Sequence, residues 1–312
     1  MKKDFWQKLK KPIIALAPMD GYTDSAFRRV CKEANPSIIV FTEFTSADGL
    51  HHGAKKLQEK LQFHRSEKPI IAQIFGKNIE TFITAAKYCE ELGFSGIDLN
   101  MGCPAKKVVR SEHGIALRKN PDKAFRLIEA VAKNTNLPVS VKTRLGWNDA
   151  SDLIDFGLGA QNAGADLITI HGRTYNVPYS GPADFGPIYE LKKVLKIPVI
   201  GNGGITSIAD GLSKLGNLDG FMIGRAAFGN PWVFSPKPPK NFRTKIPLIK
   251  KHAKYLIQSK GLKVGTFEIR KHLTAYVKSI PNASQYRQLL VQVKSLAEID
   301  SALKAVAKGM IR

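Results

Sequence analysis

The sequence predicts an α/β fold, a (β/α)8 TIM barrel followed by a small C-terminal all-helical domain, and three observations carry that expectation. Eight short apolar runs alternate with helix-forming stretches over roughly the first 220 residues, the size and rhythm of such a barrel. Nearly every run ends in a polar side chain, where packing alone would favour an apolar one. After Phe234 the runs stop, and the proline-rich stretch Ser235-Pro236-Lys237-Pro238-Pro239-Lys240 leads into purely helical periodicity. The expected division is 1–235 for the barrel and 236–312 for the helical part.

In chain order, the first strand spans 13–17, with Pro18-Met19-Asp20-Gly21 as its turn, and Thr23 or Asp24 caps a helix through 26–34. The second strand, 38–41, runs into Thr42-Glu43, and the third, 69–75, closes at Gly76. A periodic helix over 79–92 ends at Gly93. The fourth strand is Gly96-Ile97-Asp98-Leu99-Asn100, whose alternation puts Asp98 and Asn100 on one face. Gly102 and Pro104 then lift Cys103 off the strand end. On this stretch alone a packed core cysteine is the simpler reading, since free cysteines are mostly buried. Asn120-Pro121 opens the next helix. Strands follow at 138–144, 166–171, 198–202 and 219–223. In the tail, 247–259, 267–279, 284–293 and 296–307 read as amphipathic helices.

The formal net charge is +22 and is uneven. From Lys237 to Arg312 there are 17 Lys plus Arg against 3 Asp plus Glu, which leaves only +8 on the longer remainder. A concentrated basic face fits a polyanionic partner, although a generally basic surface also produces it. No apolar run is long enough to span a membrane, and Met1-Lys2-Lys3-Asp4-Phe5-Trp6-Gln7 lacks a signal-peptide core, so a cytoplasmic protein is expected. Cys31, Cys89 and Cys103 form neither a zinc pattern nor an expected disulfide. His51 and His52 read as surface residues and His113 as a solvated loop residue, so no metal is expected.

In barrels of this kind the chemistry sits at the C-terminal ends of the strands. Those positions hold Pro18, Met19, Glu43, Gln73, Asn100, Cys103, Lys142, Arg144, His171, Arg173, Asn202 and Arg225. Lys142 with Arg144, and His171 with Arg173, are two apart and share a face if the strand continues through them. Gly201-Asn202-Gly203-Gly204 and Gly224-Arg225 follow the last two strands, where barrels often bind phosphate, and Thr206, Ser207 or Ala226 could open the short helices that assist.

These residues resemble those of the tRNA-dihydrouridine synthases, flavoproteins that reduce uridine in tRNA. The matching runs are Ala17-Pro18-Met19 with Thr23-Asp24 and Phe27-Arg28, Thr42-Glu43, and Gln73-Ile74-Phe75-Gly76. Next come Asp98-Leu99-Asn100-Met101-Gly102-Cys103-Pro104 with Lys106-Lys107-Val108, and Val141-Lys142-Thr143-Arg144-Leu145-Gly146. His171-Gly172-Arg173-Thr174, Tyr179-Ser180-Gly181-Pro182-Ala183-Asp184, Gly201-Asn202-Gly203 and Met222 through Trp232 complete the set, with a weaker echo at Arg270-Lys271-His272.

The resemblance implies FMN across the barrel mouth and NADPH or NADH as electron donor. Pro18, Met19, Gln73 and Lys142 would meet the flavin ring and His171 would help hold it. Asn202, Gly203, Gly204, Gly224 and Arg225 would hold its ribityl and phosphate. Cys103 matches the family's general acid: hydride reaches C6 of uracil from the reduced flavin and the thiol protonates C5. A thiol of pKa about 8.5 is mostly protonated at neutral pH and suits that part. Asn100, Arg144 and Arg173 would bind substrate, and the basic helical tail would grip the tRNA, with Lys106, Lys107 and Arg110 extending the track. No obligate protein partner is evident. The chain departs from the family at Gly204, usually acidic, at Asp20, usually small, and in the loop 111–115. Two other readings stay open on the residues: a flavin barrel acting on a free pyrimidine, and a non-catalytic RNA-binding barrel. The basic tail argues against the first, and intact Cys103 and Lys142 argue against the second.

Overall fold

The apolar runs close into a ring. The computed structural model describes residues 4–177 and 181–309; Tyr179 and Ser180 of the quoted motif lie outside the described residues. Among the described residues there are nine strands: β1 (Ile13–Leu16), β2 (Ile39–Phe41), β3 (Thr45–Ser46), β4 (Ile70–Phe75), β5 (Gly96–Met101), β6 (Val139–Arg144), β7 (Leu167–His171), β8 (Val199–Asn202) and β9 (Gly220–Ile223). All pairings are parallel; β1 meets both β2 and β9, and β2 meets β4, so eight strands form a closed barrel. The short β3 resumes β2 along β4. Phe41 pairs with Ile71 but Thr45 pairs with Ile74, so one extra residue is taken up at 42–44, as in a bulge.

Strand starts follow from backbone donors. Pro69, Pro138 and Pro198 precede strands rather than join them, because proline has no N–H to give the ladder. Asp166 and Asp219 also sit just outside; their carboxylates accept the leading N–H groups of β6 and β8, each at 2.9 Å.

Alternation sorts the side chains. Leu16, Val40, Ile97, Leu99, Val139, Val141, Ile168 and Ile170 pack outward under the helices. Ile13, Ala15, Ile39, Phe41, Ile71, Leu167, Ile200 and Met222 fill the lower lumen. The unpredicted helix Phe5–Lys8 closes that floor with the fully buried Trp6, stacked 6.5 Å from Phe41. Above the apolar layer the lumen turns polar. The mouth is therefore built over a solid base.

The tail keeps its own apolar core, joined to the barrel through Ala26 and Trp232. Its first helical run, Phe242–Tyr276, starts earlier than residue 247 because Asn241 caps it, accepting from Thr244 N–H at 3.0 Å. Gly261, at φ 78°, breaks this run in two. Helices Ala283–Leu290 and Leu296–Lys308 follow. The tail docks on helix Ser25–Ala34: Lys251 pairs with Glu33 at 2.5 Å, and Lys260 with Asp24 at 3.2 Å. Arg29 lies 3.4 Å over the Tyr255 ring. Gly229, at φ 73°, presses on Ala275, whose backbone would stand 2.5 Å from an added Cβ.

Two buried imidazoles line this junction. His252 bonds Tyr276 Oη at 2.9 Å, and His272 stacks 5.4 Å from Phe27 and 5.2 Å from Phe228. Burial pushes His252 down to about 4 and His272 well below the ordinary histidine value, with Lys271 adding repulsion to both and Asp24 partly offsetting it at His252. Both are neutral when folded and take up protons on unfolding, so stability is full above the ordinary histidine pKa near 6.5 and declines as pH falls towards 4. The thermal midpoint is expected to drop steadily from pH 6.5 to 4.5, at up to roughly 1.4 kcal/mol per pH unit per histidine. His272→Phe should flatten that slope in a calorimetric pH series.

Candidate active site at the barrel mouth

The polar upper lumen begins with Asp98, fully buried on β5. Its carboxylate accepts from Ser140 Oγ at 2.6 Å and Gln73 Nε2 at 2.7 Å. Gln73 Oε1 in turn accepts from Asn100 Nδ2 at 3.0 Å. Asn100 Oδ1 then receives the backbone N–H of Gly102 at 3.2 Å and of Cys103 at 3.0 Å. A continuous hydrogen-bonded rail thus runs from the barrel centre to the cysteine loop. Gly114, at φ 61°, backs that loop so closely that an added Cβ would stand 2.7 Å from Cys103 O.

Cys103 is half-buried, whereas Cys31 and Cys89 are fully buried. The packed-core reading of Cys103 therefore fails and the loop reading holds. Burial raises its thiol pKa, against the opposing pull of the Ala105 N–H and the Arg144 and Lys142 cations. The sulfur is held as a neutral S–H.

A second scaffold fixes the loop after β1. Asp24 caps the following helix, so Thr23 is free to receive Met19 N–H at 2.9 Å and donate back to Met19 O at 3.1 Å. Thr23 O is bonded by the fully buried Arg28, whose Nε meets Glu67 at 2.6 Å. Breaking such a pair costs about 3–5 kcal/mol, which is why the Pro18–Met19 backbone has a defined place.

Between these scaffolds lies a cavity of about 420 Å³, lined by Pro18, Met19, Lys142, His171, Arg173, Asn202, Gly203, Gly204, Thr206, Gly224, Arg225 and Lys278 among others. Four of its lining residues are cations and none is a carboxylate. Lys142 Nζ donates to Asn202 Oδ1 at 3.1 Å, and Asn202 Nδ2 to Met222 O at 2.8 Å. Burial lowers the Lys142 pKa and raises that of Asp98, each partly restored by the other's charge. His171 is pushed down to about 2 by burial and by the cations Lys142, Arg144, Arg173 and Arg225. As a neutral ring its Nε2 accepts from Arg173 Nη1 at 2.8 Å. Gly203, at φ 124°, leaves no room for a side chain: a Cβ would lie 2.9 Å from His171 and from Ala183.

The structure thus gathers Pro18, Met19, Lys142, His171, Arg173, Asn202, Gly203, Gly204, Gly224 and Arg225 around one cavity. Gln73 and Asn100 stand beside it in the rail, their amides engaged with protein. Arg144, expected to bind substrate, is 2 % exposed and is not among the residues lining this cavity; its guanidinium donates to Gly102 O and to Thr174 O, each at 3.0 Å. Strand β7 stops at His171, so Arg173 reaches back by its side chain alone. His113 is not solvated: it is half-buried, its ring 5.5 Å from Phe75. Lys106, Lys107 and Arg110 are exposed on the short helix Lys106–Arg110 rather than in a loop. Asp98 and Thr23 receive no place in the site from the sequence, which does not single out Lys278; for Asp98 the available signal is a carboxylate midway along a strand buried on both faces. Among the described residues no cluster of His, Cys, Asp or Glu suits a metal ion, and no helix is long and apolar enough to cross a membrane.

A larger groove, about 910 Å³, lies on the tail between helices Phe242–Tyr276 and Leu296–Lys308. Arg243, Lys250, Lys251, Lys254, Lys304 and Lys308 rim it, against the single carboxylate Asp300, which pairs with Lys250 and Lys304.

Comparison with known proteins agrees with this arrangement. The family described as Dihydrouridine synthase (Dus) matches residues 15–310. A probable tRNA-dihydrouridine synthase of Rickettsia conorii is 35% identical over 88% of this chain and 87% of its own length. The tRNA-dihydrouridine synthase B of Xanthomonas campestris is 34% identical over 89% and 88%. Probable tRNA-dihydrouridine synthase 1 of Synechocystis is 32% identical over 90% and 82%. With the barrel, the cysteine loop and this match along nearly its whole length, the chain belongs to the dihydrouridine synthase family.

Proposed function

We propose that the protein reduces the C5=C6 bond of uridine in tRNA to give dihydrouridine, with FMN in the barrel-mouth cavity, NADPH or NADH as electron donor, and the cytoplasm as its compartment. The observation that carries this reading is a neutral, half-buried thiol beside a cavity that seeks an anion. The cavity's volume falls within the roughly 300–1,000 Å³ of small-molecule sites. Its glycine turns and cation-only charge fit a phosphorylated cofactor, Gly203 and Gly204 leaving backbone within reach of a phosphate and Arg225 adding charge.

When bound, FMN would supply the reducing equivalents. The chain's own groups do the rest. Pro18 and Met19, fixed through Thr23, offer a wall of set position. Lys142 places a positive charge where the reduced ring system and the developing enolate both carry negative charge. Cys103 delivers the proton at C5, and the protein keeps that proton in place: the Asp98–Gln73–Asn100 rail aims the loop, and burial keeps the sulfur protonated. Asn100 and Arg144 act by positioning this loop, while Arg173 lies on the cavity side with the substrate. The basic groove on the tail contributes phosphate contacts to tRNA. A barrel serving a free pyrimidine has no use for that groove.

Dihydrouridine mapping by mass spectrometry, in tRNA incubated with the protein and NADPH, is the direct test; an absence of new dihydrouridine with a flavin-loaded protein rejects the reading. Cys103→Ala should keep its bound flavin and lose roughly 10²- to 10⁴-fold in turnover on tRNA. Because the acid form is the working form and its pKa is raised, the thiol's own contribution to wild-type turnover should be lost only on the alkaline side, beyond the ordinary thiol range. Charge reversal at Arg243, Lys254 and Lys308 together, all exposed, should weaken tRNA binding at least about tenfold at low salt and flatten its salt dependence. Flavin content should not change.

A further inference from the structure

We infer that Lys278, a residue of the helical tail, binds the phosphate of the cofactor, so that the tail completes a site otherwise built by the barrel. This rests on the FMN reading above. Lys278 lines the barrel-mouth cavity together with Gly204, Gly224 and Arg225, although it lies far along the chain from the last strand. Its position is imposed by docking. His272 packs on Phe228 at 5.2 Å, Ala275 bears on Gly229, and Tyr276 meets Trp232 at 5.7 Å. These contacts pin the end of the helical run onto the loop that follows Arg225, and Lys278 comes two residues after Tyr276.

The charge pattern then decides what it faces. No carboxylate lines the cavity, and position 204 carries no side chain that could neutralise a lysine. Lys278 is exposed, and its ammonium has no hydrogen bond or ion pair among the described residues. Arg225 and Lys278 therefore supply charge from two separate parts of the fold, while the glycine turns supply backbone N–H groups. A phosphate takes both kinds of donor.

Riboflavin and FMN differ only in the phosphate, which gives the test. Dissociation constants for both are measured by flavin fluorescence on the full-length chain stripped of bound flavin. Lys278→Ala should weaken FMN roughly tenfold and leave riboflavin within twofold, and Lys278→Arg should restore FMN binding. The FMN difference should shrink as salt rises. Unchanged FMN affinity in Lys278→Ala, beside a wild type that binds FMN, overturns this assignment alone. An equal loss for both flavins overturns it too, by marking general damage. A wild type that binds neither flavin removes the cofactor reading itself, and the assignment with it.

Discussion

A carboxylate buried at the centre of a barrel is the constraint around which the mouth is arranged. Taking Asp98 out of water costs several kcal/mol unless its lone pairs and charge are answered. Ser140 and Gln73 answer the lone pairs, and Lys142 answers the charge. Each of those partners then has a second obligation. Gln73 holds Asn100, which holds the cysteine loop; Lys142 holds Asn202, which holds the start of the glycine turn. One buried charge thereby sets the register of both sides of the site. A polar lattice of this kind is rigid only while every member is satisfied.

On the other side, positive charge gathers around one cavity. Lys142, Arg173, Arg225 and Lys278 line a space that no carboxylate lines, and burial together with the charges of Lys142, Arg144, Arg173 and Arg225 strongly lowers the basicity of His171. Like charges gathered in one cavity repel one another, and an anion there would relieve that repulsion. The lumen beneath shows the opposite economy, with Trp6 and the strand interiors packed into an apolar floor. Stability resides below the mouth, and affinity for charged ligands resides at it.

The strands were legible because parallel barrel strands, covered on both sides, read as nearly continuous apolar runs, and their polar last residues stood out against that background. What stayed hidden depended on partners distant in sequence. Arg144 ends β6 two residues beyond Lys142, yet only Lys142 lines the cavity, and the Gly102 and Thr174 carbonyls that hold Arg144 are revealed by no local pattern. His113 looked like a loop residue until Phe75 came to lie against it. Strand β3, which resumes beyond the bulge at 42–44, is only two residues long, too short for any periodicity. Asn241 was a cap in plain view, masked by the proline six residues on.

The contact between Gly229 and Ala275 has a consequence for how a large substrate is read. With backbone against backbone, this point of the joint between barrel and tail has no slack for even a methyl group. Under the proposed function, a side chain at position 229 would push the tail away from the barrel and so change the spacing between the mouth and the basic groove that a bound RNA has to bridge.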